Sequence, residues 1–258
     1  MGKEVQIAAE VLRNAAEFNV PCSPVREIIG DSDLDLAYQV QQINISRRIE
    51  SGKKVVGKKI GLTSFAVQKQ LGVNQPDYGI LLNDMKIEDG GTIYFEELMQ
   101  PKAEAEIAFV LKKNLTGQIT MEMLKEAIDY AVISIEVVGS RVENWNIRIT
   151  DTIADNASAS HFVLGKQKVF LDQINLETCR MSMKKNGEIA SEGTGSACMN
   201  NPLNAALWLA QVMAKNNTPL LEGEVLLSGA LGPMVNLNAG DIIEAEIESL
   251  GKTSLKVV

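Results

Sequence analysis

Two glutamates, Glu104 and Glu106, lie within residues 100–110 and lead into the apolar run 107–111. In a β-strand, residues two positions apart point to the same face, so both carboxylates would lie side by side next to a core. Two anions at that separation repel each other, and burying either one is costly without a counter-charge. A divalent cation bound between the two carboxylates would neutralise their charge, and oxygen ligands favour a hard metal such as Mg²⁺ or Mn²⁺. The alternative is an edge strand that exposes both glutamates to solvent.

A third carboxylate, Glu136, lies within residues 131–138, the most apolar strand that the sequence predicts. A charge in that position must be paired with another charge or bound to a metal. With Glu104 and Glu106 it would provide three oxygen ligands, and water or substrate oxygens would fill the remaining positions of a Mg²⁺ site. The alternative is a salt bridge from Glu136 to Arg141 or to another cation.

Composition excludes several classes of protein. The 258 residues are enough for one large or two small domains, and the net charge of -8 leaves no basic stripe for nucleic acid. No apolar run has the length of a membrane span, and the N-terminus lacks the apolar core of a signal peptide. The three cysteines are widely scattered, as in a protein of the reducing cytosol, so we predict a cytoplasmic protein.

Hydrophobic periodicity predicts an α+β fold with helices first and a β-rich body after them. The predicted helices span residues 5–18, 34–49, 64–71, 120–130 and 201–215. The predicted strands span residues 55–62, 131–138, 162–165, 225–227, 241–247 and 254–258, with a hairpin turn at Asn186-Gly187. We therefore expect a helical N-terminal portion, residues 1–55, and a β-rich catalytic domain, residues 56–258.

Two further charged residues are candidates for chemistry. Lys59 lies between Gly57 and Gly61, and glycines allow a backbone to approach a ligand closely. A partly buried lysine can have a lowered pKa, whereas the alternative is an ordinary surface lysine. Asp77 is predicted to lie in a turn, where its side chain either forms the turn or faces a ligand.

Polar segments near the predicted strands are candidates for binding. Residues 151–160 are predicted to form a polar loop that suits binding through backbone and hydroxyl donors. His161, the one histidine of the chain, is expected to be a structural hydrogen-bonding residue, and Cys198 is expected to be structural. Ser228 follows a predicted buried strand, and a serine with glycine amides at a strand end can hold a carboxylate.

Together these motifs resemble one family, the 2-keto-4-pentenoate (2-hydroxypenta-2,4-dienoate) hydratases of the fumarylacetoacetate hydrolase superfamily. The similarity covers nearly the whole chain from about residue 55 onward. The motifs that carry it are, in chain order, KIGLTS (59–64), QPDYG (75–79), QPKAEAEI (100–107), EVVGSR (136–141), DTIADNAS (151–158), NPLNAA (201–206), WLA (208–210), SGALGPMV (228–235) and NAGD (238–241).

The resemblance implies a fold and a set of site residues. The fold would be a helical N-terminal portion followed by a mixed β-roll of the fumarylacetoacetate hydrolase type. The implied ligands of Mg²⁺ or Mn²⁺ are Glu104, Glu106 and Glu136. The implied catalytic and substrate-binding residues are Lys59, Asp77, Leu62, Ser158 and Ser228.

The resemblance also implies a reaction, the addition of water to 2-hydroxypenta-2,4-dienoate to give 4-hydroxy-2-oxopentanoate in the meta-cleavage catabolism of aromatic compounds. Lys59 would stabilise the enolate or transfer a proton, and Asp77 or a carboxylate near the metal would activate water. The alternatives are a 4-oxalocrotonate (2-oxo-3-hexenedioate) decarboxylase, a non-catalytic partner of one, and an acylpyruvate hydrolase. Members of the family form homo-oligomers, so we expect assembly, and a complex with such a decarboxylase or with a downstream aldolase.

Overall fold

The structure is a computed structural model that describes residues 2–71 and 73–258. Met1, where the predicted helical portion begins, and Gly72 lie outside the described residues. The helices are α1 (Lys3–Phe18), α2 (Arg26–Ile29), α3 (Leu34–Glu50), α4 (Phe65–Leu71), α5 (Met121–Ala127), α6 (Ile149–Ala154) and α7 (Pro202–Lys215).

The strands form two mixed sheets. They are β1 (Val55–Gly61), β2 (Asp77–Leu82), β3 (Lys86–Ile87), β4 (Thr92–Ile93), β5 (Lys102–Leu111), β6 (Ile128–Val138), β7 (Ala159–Leu164), β8 (Arg180–Lys185), β9 (Glu188–Thr194), β10 (Val225–Ala230), β11 (Val235–Asn236), β12 (Ile242–Ile247) and β13 (Gly251–Val257). The larger sheet has the order β2-β1-β10-β5-β6-β7-β3, with β11 beside β5. The smaller sheet has the order β4-β13-β12-β8-β9.

The two sheets, α5 and α7 enclose the main apolar core, which includes Phe109, Ile133, Ile135 and Leu255. Strands β1 and β10 are parallel, whereas β5 is antiparallel to both β10 and β6. The predicted hairpin is present and joins β8 to β9. Asn186 and Gly187 at its turn both adopt the left-handed conformation that a two-residue hairpin turn requires. This architecture confirms the predicted α+β fold with a helical start and a mixed β-roll.

The N-terminal helices pack on α6. Val5 and Leu12 of α1 share one apolar cluster with Val40 of α3 and with Ile149 and Ile153 of α6. Among the helices of residues 2–71 and 73–258, none combines the length and the apolar character that crossing a membrane requires. The division into a helical portion and a β-rich domain at residue 55 stays a prediction.

Three local predictions were wrong. The helix predicted over 120–130 ends at Ala127, because Ile128–Val138 pairs with β5 and this pairing outweighs local helix propensity. Asp77 begins strand β2 and does not lie in a turn. Residues 151–154 belong to the buried helix α6 and do not form a loop, because Ile153 and Ala154 pack into the apolar cluster that α6 shares with α3.

Asp151 connects the N-terminal helices to the rest of the chain. Its carboxylate is fully buried and forms an ion pair of 2.5 Å with the guanidinium of Arg26. It also accepts hydrogen bonds from the backbone N–H groups of Arg26 at 2.8 Å and of Arg148 at 2.9 Å. A buried charge held by this many donors is costly to leave without its partner.

His161 lies on β7 and is partly buried, and its Nδ1 is 2.8 Å from the hydroxyl of Ser160. Burial and then the nearby Arg48 lower the pKa of His161 from 6.5 to about 4; Arg141 acts in the same direction, and Asp84 opposes it. The imidazole is therefore neutral at physiological pH, which fits the predicted structural role.

We expect Asp151→Ala to lower the free energy of unfolding by about 3 kcal/mol, because the variant leaves the partly buried Arg26 without its counter-charge and the N–H groups of Arg26 and Arg148 without their acceptor. Urea denaturation of the full chain measures the change. Asp31→Ala is the matched control, since Asp31 pairs with Arg148 on the surface and should contribute no more than about 1 kcal/mol. Equal losses in the two variants would contradict the anchoring role of Asp151.

We expect the pKa of His161 to be near 4, which NMR can follow without ambiguity because the chain has a single histidine. As pH falls from about 6.5 to about 4, the unfolded chain binds a proton that the folded chain does not, so the stability falls. His161→Asn should reduce this acid destabilisation relative to the unmodified chain. A measured pKa at or above 6.5 would refute the assignment.

Candidate metal and substrate site

The pairing of β5 with β6 brings three carboxylates together. Glu104 lies directly opposite Glu136 in the antiparallel register, and Glu106 is two positions further along the same face of β5. Cross-strand partners share a face, so the three side chains converge. Each carboxylate contributes one oxygen atom to a group of three oxygens that all lie within 4.8 Å of one another.

The carboxylate cluster is buried without enough donors. Glu106 and Glu136 are at most 1% exposed, whereas Glu104 is half-buried because it faces a cavity. Within residues 2–71 and 73–258, Oε1 of Glu106 and Oε2 of Glu136 have no hydrogen-bond donor, and Oε1 of Glu136 has an ion-pair contact with Lys59. Three convergent carboxylates with unsatisfied buried oxygens match the donor set of a hard divalent cation.

The electrostatics of the carboxylate cluster follow from this geometry. Burial raises the pKa of all three glutamates, and repulsion from Glu136 and Glu104 raises the pKa of Glu106 further. For Glu136, burial raises the pKa to about 7, although the nearby Lys59 opposes the shift. Without a cation, the carboxylate cluster therefore resists holding three negative charges at once.

Gly229 holds Glu106 in place. Its backbone N–H donates to Oε2 of Glu106 at 2.9 Å, and its φ of 114° belongs to a region that favours glycine. A Cβ at this position would lie only 2.1 Å from the hydroxyl oxygen of Thr63. An irregularity in the pairing of β10 with β5, between Leu227 and Ala230, presents this N–H to the carboxylate.

Lys59 is the cation beside the carboxylate cluster. Its side chain is 4% exposed, and its Nζ lies 3.2 Å from Oε1 of Glu136 and donates to the carbonyl oxygen of Ala157 at 3.0 Å. Burial alone lowers the pKa of Lys59, but Glu136 and the other carboxylates raise it above its ordinary value. The alternative of a surface lysine was therefore wrong, and the pKa of Lys59 is raised where the sequence had left a lowered pKa open.

Glu136 thus has a cationic neighbour, but this neighbour is Lys59 and not Arg141. The guanidinium of Arg141 pairs with Asp155 and also donates to the carbonyl oxygen of Asp155 at 2.6 Å. Lys58, the residue before Lys59, also lies in the interior but pairs with Glu224 at 2.7 Å.

Asp77 is fully buried on β2 and lies opposite Gly61 of β1. A Cβ on Gly61 would lie 2.1 Å from Oδ1 of Asp77, so glycine is needed there for the carboxylate to fit. Burial raises the pKa of Asp77 to about 6, although the charge of Lys59 opposes this shift.

A cavity of about 710 Å³ opens beside the carboxylate cluster. Five of the predicted site residues line it, namely Lys59, Leu62, Asp77, Glu104 and Ser158. Ser158 has a buried hydroxyl with no hydrogen-bond partner among the described residues, so it is free to bind a ligand. Glu106, Glu136 and Ser228 are buried and are not among the lining residues of this cavity.

Ser228 is the predicted substrate-binding residue that the structure places away from the cavity wall. It is fully buried, and its carbonyl oxygen accepts a hydrogen bond from Sγ of Cys198 at 3.0 Å. Burial raises the pKa of the Cys198 thiol to about 12, which agrees with a structural cysteine.

Sequence reasoning missed part of the cavity wall. Its apolar side includes Val67, Trp145 and Ile147, which belong to no motif that could have indicated a role, and Met234, which lies in the motif at residues 228–235 but was not predicted as a site residue. Lys102 also lines the cavity, with its Nζ 4.4 Å from the ring centroid of Trp145. Its position two residues before Glu104 was a usable signal, since both residues share one face of β5.

Comparison with known proteins agrees with this geometry. Residues 63–258 match the family described as fumarylacetoacetate (FAA) hydrolase C-terminal. The TodF product hydratase of Pseudomonas putida strain F1 is 50% identical over 97% of this chain and 94% of its own length. The 2-keto-4-pentenoate hydratase 2 of Dechloromonas aromatica is 48% identical over 96% of this chain and 95% of its own length.

A solved structure has the same fold over almost the whole chain. The 4-oxalocrotonate decarboxylase of Pseudomonas putida G7, complexed with magnesium and adipate, superposes with a TM-score of 0.93 and is 34% identical. The superposition covers 99% of this chain and 98% of the decarboxylase. The chain therefore belongs to the fumarylacetoacetate hydrolase family, in the branch that contains the 2-keto-4-pentenoate hydratases.

Proposed function

We propose that this protein is a hydro-lyase that adds water to 2-hydroxypenta-2,4-dienoate and yields 4-hydroxy-2-oxopentanoate. The observation that carries the proposal is the cluster of Glu104, Glu106 and Glu136, which lies beside Lys59 and next to a cavity of about 710 Å³. The names of relatives at 46–50% identity support the same reaction. This reaction would be a step in the meta-cleavage catabolism of aromatic compounds.

The three glutamates would hold Mg²⁺ or Mn²⁺, because carboxylate oxygens are the ligands that these hard cations prefer. When bound, such a cation supplies Lewis-acid stabilisation of negative charge on the C2 oxygen of the substrate. A related decarboxylase is complexed with magnesium, which is consistent with a divalent cation here.

The other polar residues of the cavity have distinct proposed roles. Lys59, held by the Ala157 carbonyl, would stabilise the enolate charge or transfer a proton. Asp77 is a cavity-lining carboxylate outside the cluster, so it is the candidate base for the attacking water. The free hydroxyl of Ser158 would bind the substrate carboxylate, and Leu62 would pack against the diene.

The decarboxylase reaction is a second candidate, favoured by the structural match to 4-oxalocrotonate decarboxylase. A six-carbon dicarboxylate needs a partner for its second carboxylate, and Lys102 is the cavity-lining cation besides Lys59 that could provide one. Val67, Ile147 and Met234 on the same wall favour the monocarboxylate dienoate, because their side chains offer no donor to a second anion, and the indole N–H of Trp145 is already bonded to the carbonyl oxygen of Gln100 at 3.0 Å.

Assembly and location are also part of the proposal. We propose a cytoplasmic homo-oligomer that associates with a 4-oxalocrotonate decarboxylase or with a downstream aldolase. The support is the family resemblance, together with a net charge of -8 that gives no reason to expect a nucleic-acid partner.

We expect purified protein with Mg²⁺ to consume freshly generated 2-hydroxypenta-2,4-dienoate and to form 4-hydroxy-2-oxopentanoate. Loss of the dienoate ultraviolet absorbance measures the rate, and 2-oxo-3-hexenedioate is assayed in parallel. Release of CO₂ from the diacid without hydration of the dienoate would move the assignment to the decarboxylase. A protein that converts neither substrate would have to be a non-catalytic partner or a hydrolase.

Two variants should separate the metal site from Lys59. Glu106→Gln should abolish metal-dependent turnover while the fold remains intact, because one negatively charged ligand is lost. Lys59→Met should lower kcat by about 10²-fold or more and leave Mn²⁺ affinity largely unchanged, because the lysine acts on the reacting charge. Steady-state kinetics and Mn²⁺ titration measure the two effects.

Lys58→Met is the matched control for Lys59, since it makes the same substitution at a lysine paired with Glu224 away from the cavity. It should reduce stability and retain kcat. Full activity of Glu106→Gln without added metal would refute the metal assignment. A loss of metal affinity alone in Lys59→Met would refute the role of the lysine.

A further inference from the structure

A run of three left-handed residues separates helix α6 from strand β7. Asn156, Ala157 and Ser158 have φ values of 53°, 50° and 56°, although none of them is glycine. Such conformations are unfavourable for residues with a Cβ, and they persist only where the surrounding structure enforces them. The run lies at the cavity, because Ala157 and Ser158 both line it.

The side chain of Asn156 supplies this enforcement. Its Oδ1 accepts from the backbone N–H of Ile80 at 2.8 Å, and its Nδ2 donates to the carbonyl oxygen of Ile80 at 2.9 Å. Strand β2 is at the end of the larger sheet, so its outer backbone groups need partners from outside the sheet. The amide of Asn156 therefore pairs with β2 as a neighbouring strand would.

Gly79 allows this close approach. A Cβ at Gly79 would lie 2.3 Å from the backbone carbonyl oxygen of Asn156, which leaves no room for any other residue. The glycine at position 79 is thereby explained, because the strand that carries Asp77 must accept the left-handed run against its edge.

The left-handed run delivers two groups to the candidate site. The carbonyl oxygen of Ala157 accepts from Nζ of Lys59 at 3.0 Å, and the unpartnered hydroxyl of Ser158 lies at the cavity. The Ala157 carbonyl is a neutral acceptor, so it directs the lysine without adding negative charge to the carboxylate cluster. Asp77 belongs to the same strand that Asn156 grips.

We propose that Asn156 is a positioning residue, whose side-chain amide clamps the left-handed run to β2 and thereby orients Lys59 and Ser158 for the reaction. This inference rests on the proposed hydration for its kinetic consequences. The clamp itself can be measured without turnover, because it protects a defined backbone N–H.

Asn156→Ala should lower kcat for the dienoate by about 10²-fold, since a displacement of about 1 Å in a catalytic group can cost that much. Mn²⁺ affinity should change little, because the three glutamates are untouched, whereas KM should rise, because Ser158 would no longer be oriented toward the substrate carboxylate. Hydrogen exchange should show faster exchange at the amide of Ile80, which loses its acceptor, and unchanged exchange in the strands of the smaller sheet.

Two further substitutions separate the side chain from the backbone conformation. Asn156→Gly accommodates the left-handed φ but has no amide, so its kcat should fall as far as that of Asn156→Ala. Asn156→Asp keeps the acceptor for the Ile80 N–H and loses the donor, so its kcat should lie between those of Asn156→Ala and the unmodified protein.

Asn186→Ala is the matched control. Asn186 also has a left-handed φ of 56°, and its side chain donates to Asp241 and accepts from the N–H of Ile242, both at 2.8 Å. It lies in the β8–β9 hairpin and does not line the cavity. Its substitution should destabilise the fold and leave kcat unchanged.

Three results would overturn the inference. The first is a kcat in Asn156→Gly equal to that of the unmodified protein. The second is a loss of kcat in Asn186→Ala as large as that in Asn156→Ala. The third is an exchange rate of the Ile80 amide in Asn156→Ala that equals the rate in the unmodified protein. Absence of turnover in the unmodified protein would instead refute the proposed hydration. In that case the exchange of the Ile80 amide still decides whether the clamp exists.

Discussion

Burial of three carboxylates against one lysine is the constraint on which the rest of this structure depends. Glu104, Glu106 and Glu136 converge at the centre of the larger sheet, and Lys59 forms an ion pair with Glu136. One lysine does not neutralise three carboxylates, so burial raises the pKa of each glutamate. This excess of negative charge suits the cluster to a divalent cation. Without the cation, the buried carboxylates lower the stability of the fold.

The sheet provides the rigidity that such a charged cluster requires. Glu104 and Glu136 are held by direct pairing of two long strands, and Glu106 is held by the N–H of Gly229 on the neighbouring strand. Lys59 extends from β1, next to β10 in the sheet order. A site built on paired strands is more precise than one built on loops, because the backbone ladder fixes the positions from which the ligand side chains extend.

The segment after α6 connects the helical part of the protein to this chemistry. Asp151 binds Arg26 of the N-terminal helices, and Asp155 binds Arg141 after strand β6. Between these two ion pairs and β7 lies the left-handed run that contacts Lys59 through Ala157. The N-terminal helices therefore support the same segment that shapes the cavity, although within the part of the chain that the structure describes they contribute none of the three clustered carboxylates.

The sequence by itself determined the α+β order, the hairpin at Asn186-Gly187 and the convergence of Glu104 and Glu106, because these depend on local periodicity and spacing. Only the tertiary structure decided that Ile128 joins a strand and that Asp77 is buried, since both depend on partners distant in sequence. The same holds for the raised pKa of Lys59, which results from carboxylates contributed by three different strands. Long-range strand pairing is the physical reason, because it brings together charges whose interaction no local pattern encodes.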